Sequence, residues 1–213
     1  MRFASLVESV SGMPWFDLPL LVQAFDEPRA NIRLQLSRWM TQGKVIGLRR
    51  GMYALPEAFR RMRLTGAALA NHLYRPSYLS GLWALSYHDL VPERVTWFTS
   101  LTTRVPRRFE NPIGVFDYRN IKRDAFFGYR ADRFGPDEVF VAEPEKALLD
   151  HWHLTPGDWT PARLAEMRYQ HAELIDEATL LTYAERFRSP RLGQTARRWV
   201  RLMRHDEEGT VTL

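Results

Sequence analysis

The stretch from residue 28 to residue 42 constrains the fold most, because its apolar residues recur with the period of an α-helix. These residues fall at i, i+4, i+7 and i+8, and they are Ile32, Leu36, Trp39 and Met40. The spacing predicts a helix with one face, formed by all four side chains, buried in a core. Asp26 stands where an N-cap is expected, Pro28 suits the first turn, and Gly43 suits the C-terminal cap.

The opposite side of this helix is polar and basic. The side chains that could bind base edges or phosphates there are Arg29, Asn31, Arg33, Gln35, Ser37 and Arg38. A helix with donor groups on its free face can enter the major groove of DNA. For Arg33, three interpretations stay open at this point: a contact to guanine, a contact to phosphate, and a solvated charge.

A basic hairpin is predicted directly after the helix. Two short β runs, at residues 45–48 and 52–54, flank a turn formed by Arg49, Arg50 and Gly51. The glycine supplies the backbone freedom that such a turn needs. A basic tip can hold the phosphate backbone, although a plain solvated turn is the alternative. The hairpin region adds four predicted DNA-binding residues, which are Lys44, Arg49, Arg50 and Tyr53.

The net charge of the chain is concentrated in this same part. Residues 1–63 contain ten basic and five acidic side chains, whereas residues 64–213 contain 20 of each, so the whole excess of +5 lies before residue 64. Local positive charge steers a protein toward a phosphate backbone. A general preference for arginine explains why 27 of the 30 basic residues are Arg, but it does not explain the asymmetry.

Two further helices are predicted before the segment. Apolar residues at i, i+3, i+4 and i+7 from Phe3 indicate a first helix, which Gly12 ends, and Asp17 can cap a second one. The order helix, helix, helix, hairpin predicts a winged helix-turn-helix DNA-binding domain over residues 1–60. Double-stranded DNA is therefore the expected partner.

Residues 61–213 alternate between helical and β patterns. Helices are predicted within 65–90, where Thr65 and Ser77 can serve as caps. Runs rich in β-branched and aromatic residues predict four strands, at 95–103, 113–121, 125–130 and 138–142. Later helices are predicted at 144–154 and near 160–170, 176–187 and 190–204. The fold class is therefore α+β, with a winged helix-turn-helix followed by a mixed domain whose small β-sheet is packed by helices.

Several function classes are not expected. The chain has no cysteine, which excludes disulfides and cysteine nucleophiles, and it has no apolar run of membrane-spanning length or signal-peptide character. We therefore expect a cytoplasmic protein without membrane association. His151 and His153 stand at i and i+2, which does not suit a shared metal, so neither a metal nor another cofactor is predicted.

An enzyme is the weaker hypothesis. A nuclease domain is suggested by the order Asp117, Asp137, Glu143, Lys146, but it would need an acid-x-Lys pattern on a strand. Glu145 and Lys146 are instead adjacent on a predicted helix, and the sequence contains no P-loop, nucleophile elbow or HExxH pattern. We therefore predict a protein that is not an enzyme and has no catalytic residues.

Four segments, in order, resemble the AbiEi family of antitoxins from abortive-infection, type IV toxin–antitoxin systems. They are LRRGMYAL at 48–55, YLSGLWALSYHDLVPERVTWFTSLTTR at 78–104, IGVFDYRNIKRDAFFGY at 113–129, and AEPEKALLDHWHL at 142–154. The resemblance covers residues 3–155. From about residue 156 onward, the chain resembles the family only in being helical.

The resemblance implies an antitoxin that binds inverted repeats in its own promoter and represses it. Its second domain would counter a nucleotidyltransferase toxin, with direct contact left open, and the antitoxic motif would fall on Glu145, Lys146 and Asp150. From the residues alone, Lys146 and Asp150 form an i, i+4 pair that favours a structural ion pair. The alternative function is an autonomous winged-helix regulator whose second domain senses a ligand or mediates dimerisation.

Overall fold

The structure, a computed structural model, describes the backbone of residues 1–210 and the side chains of residues 1–204. It has the expected α+β class, with a three-stranded sheet and a six-stranded mixed sheet. Its contacts divide the chain into two compact units. The first consists of residues 1–69 with 109–115, and the second of residues 70–108 with the chain from 116 onward. The boundary near residue 60 stays a prediction.

The first unit contains three helices and a small antiparallel sheet. The helices are α1 (Phe3–Val10), α2 (Leu18–Ala24) and α3 (Arg29–Thr41). The strands are β1 (Phe16–Asp17), β2 (Ile46–Arg49) and β3 (Met52–Ala54), in the order β1-β3-β2. The buried core between them is formed by Leu6, Val10, Phe16, Leu18, Leu21, Ile32, Leu36, Val45 and Leu55.

Capping residues determine where α2 begins and where α3 begins and ends. The Asp17 side chain accepts a hydrogen bond of 2.9 Å from the Leu20 N–H, which confirms the predicted cap of α2. The predicted Asp26 cap of α3 is wrong, because Pro28 occupies the N-cap position and its carbonyl accepts from the N–H groups of Asn31 and Ile32. Gly43 follows the helix with a φ of +69°, as its predicted capping position requires.

One of the four apolar residues predicted to face the core does not. Ile32 and Leu36 are fully buried and Trp39 is partly buried against the core, but Met40 is 37% exposed. With 3.6 residues per turn, a residue at i+8 has moved to the flank of the buried stripe. The Met40 sulfur lies only 3.0 Å from the place where a side chain on Gly47 would begin, so the glycine makes room for it.

A six-stranded mixed sheet dominates the second unit. It is formed by β4 (Tyr78–Leu79), β5 (Phe98–Thr102), β6 (Arg107–Asn111), β7 (Gly114–Asn120), β8 (Tyr129–Phe134) and β9 (Asp137–Ala142). The strand order is β6-β7-β5-β4-β9-β8. The β4–β9 and β5–β7 pairs are parallel, whereas β4–β5 and β8–β9 are antiparallel. Residues 109–115, which comprise the end of β6, the turn and the start of β7, belong to the first unit by their contacts.

Five of the remaining helices lie in the second unit, and a sixth, α4 (Gly66–Leu73), begins in the first unit and ends in the second. The helices are α4, α5 (Gly81–Tyr87), α6 (Pro144–Leu154), α7 (Pro161–Glu166), α8 (Glu177–Arg186) and α9 (Pro190–Thr210). α6 packs against α5, α8 and α9, and each residue from 145 to 152 is buried. The Thr65 hydroxyl accepts from the Ala68 N–H at 3.2 Å, which confirms the predicted cap of α4. Among the residues described, no helix is both long and apolar enough for a membrane span.

One helix start and one strand start in the mixed domain were predicted wrongly, and one strand was missed. Residues 78–79 form β4 instead of starting a helix at Ser77, because α5 begins only at Gly81. The predicted strand at 125–130 begins at Tyr129, after a short 3₁₀ turn at residues 123–125. The edge strand β6 was missed because its sequence, RRFEN, lacks apolar alternation. Charged edge strands of this kind carry little β signal.

Candidate functional site

The exposed side of α3 carries cations without partners. Arg29, Arg33 and Arg38 are exposed, and none of their guanidinium groups forms a hydrogen bond or ion pair with any residue that the structure describes. Asn31 and Ser37 are exposed on the same helix. Five of the six DNA-binding residues predicted on α3 therefore present their polar groups to solvent, where each could bind a phosphate or a base edge.

Gln35 is the exception. It is half-buried, and its amide Nε2 donates a hydrogen bond of 2.8 Å to the Glu27 carboxylate. Glu27 also contacts the amino terminus of Met1. Gln35 therefore joins α3 to the segment that precedes it, and its amide nitrogen is engaged within the fold.

A stripe of small and apolar side chains runs along the middle of the exposed side of α3. Its members fall at i, i+4, i+7 and i+11, and they are Ala30, Leu34, Ser37 and Thr41. Leu34 is the largest of them and is 53% exposed. Leu34 was not among the predicted site residues, because only polar side chains were expected to bind DNA on this side. The signal was its i+4 spacing from Ala30 and its place next to Arg33.

The hairpin presents two further cations. Arg49 and Arg50 are exposed, and in the described part of the chain neither guanidinium group has a hydrogen-bond or ion-pair partner. Gly51 has a φ of +79°, a left-handed conformation that other residues seldom adopt, so the tight turn beside Arg50 depends on it.

Lys44 and Tyr53 are partly committed within the first unit. The Lys44 ammonium lies 5.6 Å from the centre of the Phe3 ring but remains exposed. Tyr53 is half-buried and its ring stacks on Phe16 at 5.9 Å. Lys44 is therefore available to an anionic partner, whereas the Tyr53 ring belongs largely to the fold.

A buried polar network occupies the second unit around the predicted antitoxic motif. Lys146 and Asp150 are fully buried and form the predicted ion pair, which is confirmed. The Lys146 ammonium also donates to the Tyr78 hydroxyl at 2.8 Å. Tyr78 and Ser80 in turn donate to the Asp150 carboxylate at 3.0 and 2.7 Å. Tyr78 and Ser80 were missed because they lie in a stretch that was predicted to be helical.

The electrostatics of the network follow from its burial. Removal from water lowers the pKa of Lys146, and the negative charge of Asp150 opposes that shift. Burial also raises the pKa of Tyr78, and Asp150 acts in the same direction. The Lys146 ammonium lies 4.7 Å from the centre of the Phe187 ring and 5.3 Å from that of Phe127.

Glu145, the third residue of the predicted motif, is also withdrawn from solvent. It is 7% exposed, and its carboxylate accepts a hydrogen bond of 2.8 Å from the Asp176 N–H, just before α8. The network and Glu145 thus fix α6 to β4 and to the start of α8. None of the three motif residues presents a side chain that a partner protein could contact directly.

A surface pocket of about 290 Å³ opens elsewhere in the second unit. Its walls include three aromatic side chains, Phe126, Tyr129 and Phe140, together with the polar residues Arg75, Ser77 and Glu138. The Ser77 hydroxyl is buried and has no hydrogen-bond partner among the described residues. An aromatic wall with polar side chains beside it suits a planar ligand that carries polar groups on its edge.

The histidines of α6 lie in different surroundings. His151 is buried with its ring 5.3 Å from that of Trp159, whereas His153 is exposed and lies 5.6 Å from Phe187. Burial lowers the pKa of His151 to about 4, and the positive charge of Arg163 adds to this shift. Within the described residues, no group of three or more His, Asp or Glu side chains is arranged to hold a metal ion.

Comparison with protein-family models gives no match for this chain, and comparison with curated proteins gives none either.

Proposed function

We propose that this protein is a DNA-binding autorepressor and the antitoxin of a type IV, AbiEi-like toxin–antitoxin system. One observation carries the DNA-binding part. Five arginines of the first unit are exposed and have no partner among the described residues, and they are Arg29, Arg33, Arg38, Arg49 and Arg50. Unpaired guanidinium groups gathered in one small unit favour a polyanionic partner, because each can replace a condensed counterion of the phosphate backbone.

The order of elements in the first unit supports a winged helix-turn-helix. A four-residue segment, 25–28, joins α2 to α3, and the β2–β3 hairpin follows α3 after residues 42–45. In proteins of this type the second helix of the motif enters the major groove, and contacts to the flanking backbone set its orientation. Two molecules on an inverted repeat would place one α3 in each half-site.

The antitoxic part of the proposal rests on the resemblance of residues 3–155 to the AbiEi family. The burial of Glu145, Lys146 and Asp150 supports an indirect role for this motif. It would stabilise the second unit, and exposed residues elsewhere in that unit would oppose the nucleotidyltransferase toxin.

A reporter driven by the DNA upstream of this protein's own gene tests the repression. We expect the protein to repress the reporter, and we expect the double variant Arg49→Ala/Arg50→Ala to relieve most of that repression. Arg130→Ala/Arg133→Ala is the matched control, because both residues are exposed arginines on β8 in the second unit. Equal repression by all three proteins would contradict the proposed role of the hairpin.

A growth assay tests the antitoxic part. A nucleotidyltransferase encoded beside this protein should arrest growth, and co-expression of this protein from an unrelated promoter should restore it. Rescue by the Arg49→Ala/Arg50→Ala variant would show that neutralisation does not depend on promoter binding. Failure of the intact protein to rescue growth would reject the antitoxin function while leaving the repressor function standing.

A second candidate function is an autonomous winged-helix regulator whose second unit senses a small molecule. The aromatic-walled pocket favours it, because concave sites lined by aromatic side chains and a few polar groups are typical of small-molecule binding. A thermal-shift screen with nucleosides, aromatic amino acids and aromatic carboxylates tests this function. A ligand that raises the Tm of the protein but not of Phe140→Ala, which removes an exposed ring from the pocket wall, would support it. No stabilisation by any of the three classes would reject it.

A further inference from the structure

Leu34 is an apolar side chain in an unusual place on α3. It is 53% exposed and lies on the side of the helix opposite the buried Ile32 and Leu36. Single exposed leucines are common on protein surfaces, so exposure alone decides nothing. The position of Leu34 is more informative, because it lies in the first half of the helix, the part that contacts base edges in helix-turn-helix proteins.

Cations lie on both sides of the stripe that Leu34 occupies. Helix geometry places Arg29 and Arg33 along one flank and Arg38 along the other, and all three are exposed without partners among the described residues. If the flanking guanidinium groups meet the two phosphate chains that border a major groove, the stripe between them points at the base edges. Leu34, as its largest member, would then reach deepest.

An apolar protein surface would be a poor partner for the same stripe. Docking such a surface on Leu34 would also desolvate the unpaired arginines beside it, which is costly. One of the two hydroxyls of the stripe is engaged within the helix, since the Thr41 hydroxyl donates to the Ser37 carbonyl at 3.2 Å. The combination of an apolar centre and cationic flanks therefore matches the major groove better than a protein.

Only one base presents an apolar group in the major groove, and that group is the C5-methyl of thymine. We propose that Leu34 packs against thymine methyl groups and thereby makes the protein prefer thymine at one or two positions of each half-site. The Ala30 methyl, one helical turn earlier, would widen the same apolar contact. This inference rests on the proposed DNA-binding function and adds a specificity-determining residue to it.

The test combines one protein change with one DNA change. The duplex is the shortest fragment upstream of this protein's own gene that the protein binds in preference to scrambled DNA. It is prepared once with thymine and once with uracil in place of every thymine, which removes the methyl groups and keeps the hydrogen-bonding edges. Kd is measured for the intact protein and for Leu34→Ala on both duplexes.

A matched control separates Leu34 from leucine substitution in general. Leu174 in the second unit is 52% exposed, almost the same as Leu34, and Leu174→Ala should bind both duplexes like the unchanged protein. Because Leu34 is exposed and alanine favours helices, Leu34→Ala should fold normally, which circular dichroism checks.

We expect uracil to weaken binding by the intact protein about fivefold, and Leu34→Ala to weaken binding to the thymine duplex by a similar factor. Leu34→Ala should then bind both duplexes equally. The thymine contact is rejected if the change from thymine to uracil weakens binding by Leu34→Ala as much as it weakens binding by the intact protein. It is also rejected if the intact protein binds both duplexes with the same Kd. If the intact protein prefers no upstream fragment to scrambled DNA, the proposed function itself fails, and the two failures are thus distinguished.

Discussion

The Tyr78 hydroxyl donates a hydrogen bond of 3.0 Å to the carboxylate of Asp150, a residue 72 positions later in the chain. Both side chains are fully buried. The bond joins strand β4 to helix α6 and satisfies the second carboxylate oxygen of Asp150, whose charge is balanced by Lys146. The second unit is thus held together by a charged network in a place where most proteins have apolar contacts.

We expect Lys146→Met to reduce the free energy of unfolding by about 3–5 kcal/mol, because it leaves the Asp150 carboxylate buried without a counter-charge. Lys146→Met/Asp150→Asn should be less destabilised than Lys146→Met, since the asparagine oxygen still accepts from Tyr78. Urea unfolding followed by tryptophan fluorescence measures both. Glu93→Gln is the control, because it breaks the exposed ion pair with Arg168 and should cost below about 1 kcal/mol.

A loss below about 1 kcal/mol for Lys146→Met would contradict this account, because a buried carboxylate without a partner cannot be tolerated so cheaply. The Lys146 ammonium would then have to contribute little to the network, despite its 2.8 Å hydrogen bond to Tyr78.

Stability should fall as the pH drops below neutrality, and His151 should contribute to that fall. Burial lowers the pKa of His151 to about 4 in the folded protein, whereas an unfolded histidine has a pKa near 6.5. The unfolded chain therefore binds the proton first, so the stability contributed by neutral His151 is complete above about pH 6.5 and is lost as the pH falls toward 4. The loss amounts to about 3 kcal/mol.

His151→Leu should flatten the dependence of the free energy of unfolding on pH between 7 and 4. His151→Asn is the control, because it also cannot titrate but keeps a polar side chain. The two variants should therefore share the flatter slope even if their stabilities at pH 7 differ. A slope equal to that of the unchanged protein in both variants would show that His151 does not contribute.

Gln35 should matter for stability and not for DNA affinity. Its amide donates to Glu27 within the first unit, so Gln35→Ala should reduce the free energy of unfolding by about 1 kcal/mol. The Kd for upstream DNA should stay within about twofold. Arg38→Ala is the matched comparison, because Arg38 is exposed on the same helix and should show the opposite behaviour. A tenfold loss of affinity in Gln35→Ala at unchanged stability would restore Gln35 to the DNA-reading set.

Arg50 should contact a phosphate and not a base. Arg50→Ala is therefore expected to weaken binding to every duplex by a similar factor and to reduce the slope of log K against log salt by about one unit. Binding titrations at four salt concentrations measure the slope. Arg133→Ala, an exposed arginine on β8, should leave it unchanged. A loss confined to one DNA sequence would instead indicate base recognition by Arg50.

The parts of the fold that the sequence predicted are those that local spacing determines. The three helices of the first unit, the cap at Asp17 and the Lys146–Asp150 pair depend on residues at most a few positions apart. The same holds for α6, which begins at Pro144 as expected. Local period and capping chemistry were sufficient at these places.

The wrong predictions concern elements whose structure depends on contacts with segments distant in the sequence. β4 consists of two residues, and it exists because Leu79 pairs with Ser100 on one side and with Val141 on the other. No local sequence pattern predicts a strand of two residues. The burial of Lys146 likewise depends on β4 and on the helices around α6, so the sequence could predict the ion pair but not its complete removal from solvent. Met40 was predicted wrongly for a different reason. Its i+8 spacing from Ile32 matches the helical period only approximately, so its side chain lies beside the buried stripe and is partly exposed.

The first unit should bind a specific DNA site in the promoter of its own gene, and a binding titration measures this. The intact protein is titrated on the DNA upstream of its own gene and on a scrambled duplex of equal length, each at two salt concentrations. We expect binding to the upstream DNA to be at least about a hundredfold tighter, and the preference to persist at the higher salt. Equal, salt-sensitive binding to both duplexes would contradict this expectation and reduce the exposed arginines to a general anchor for nucleic acids.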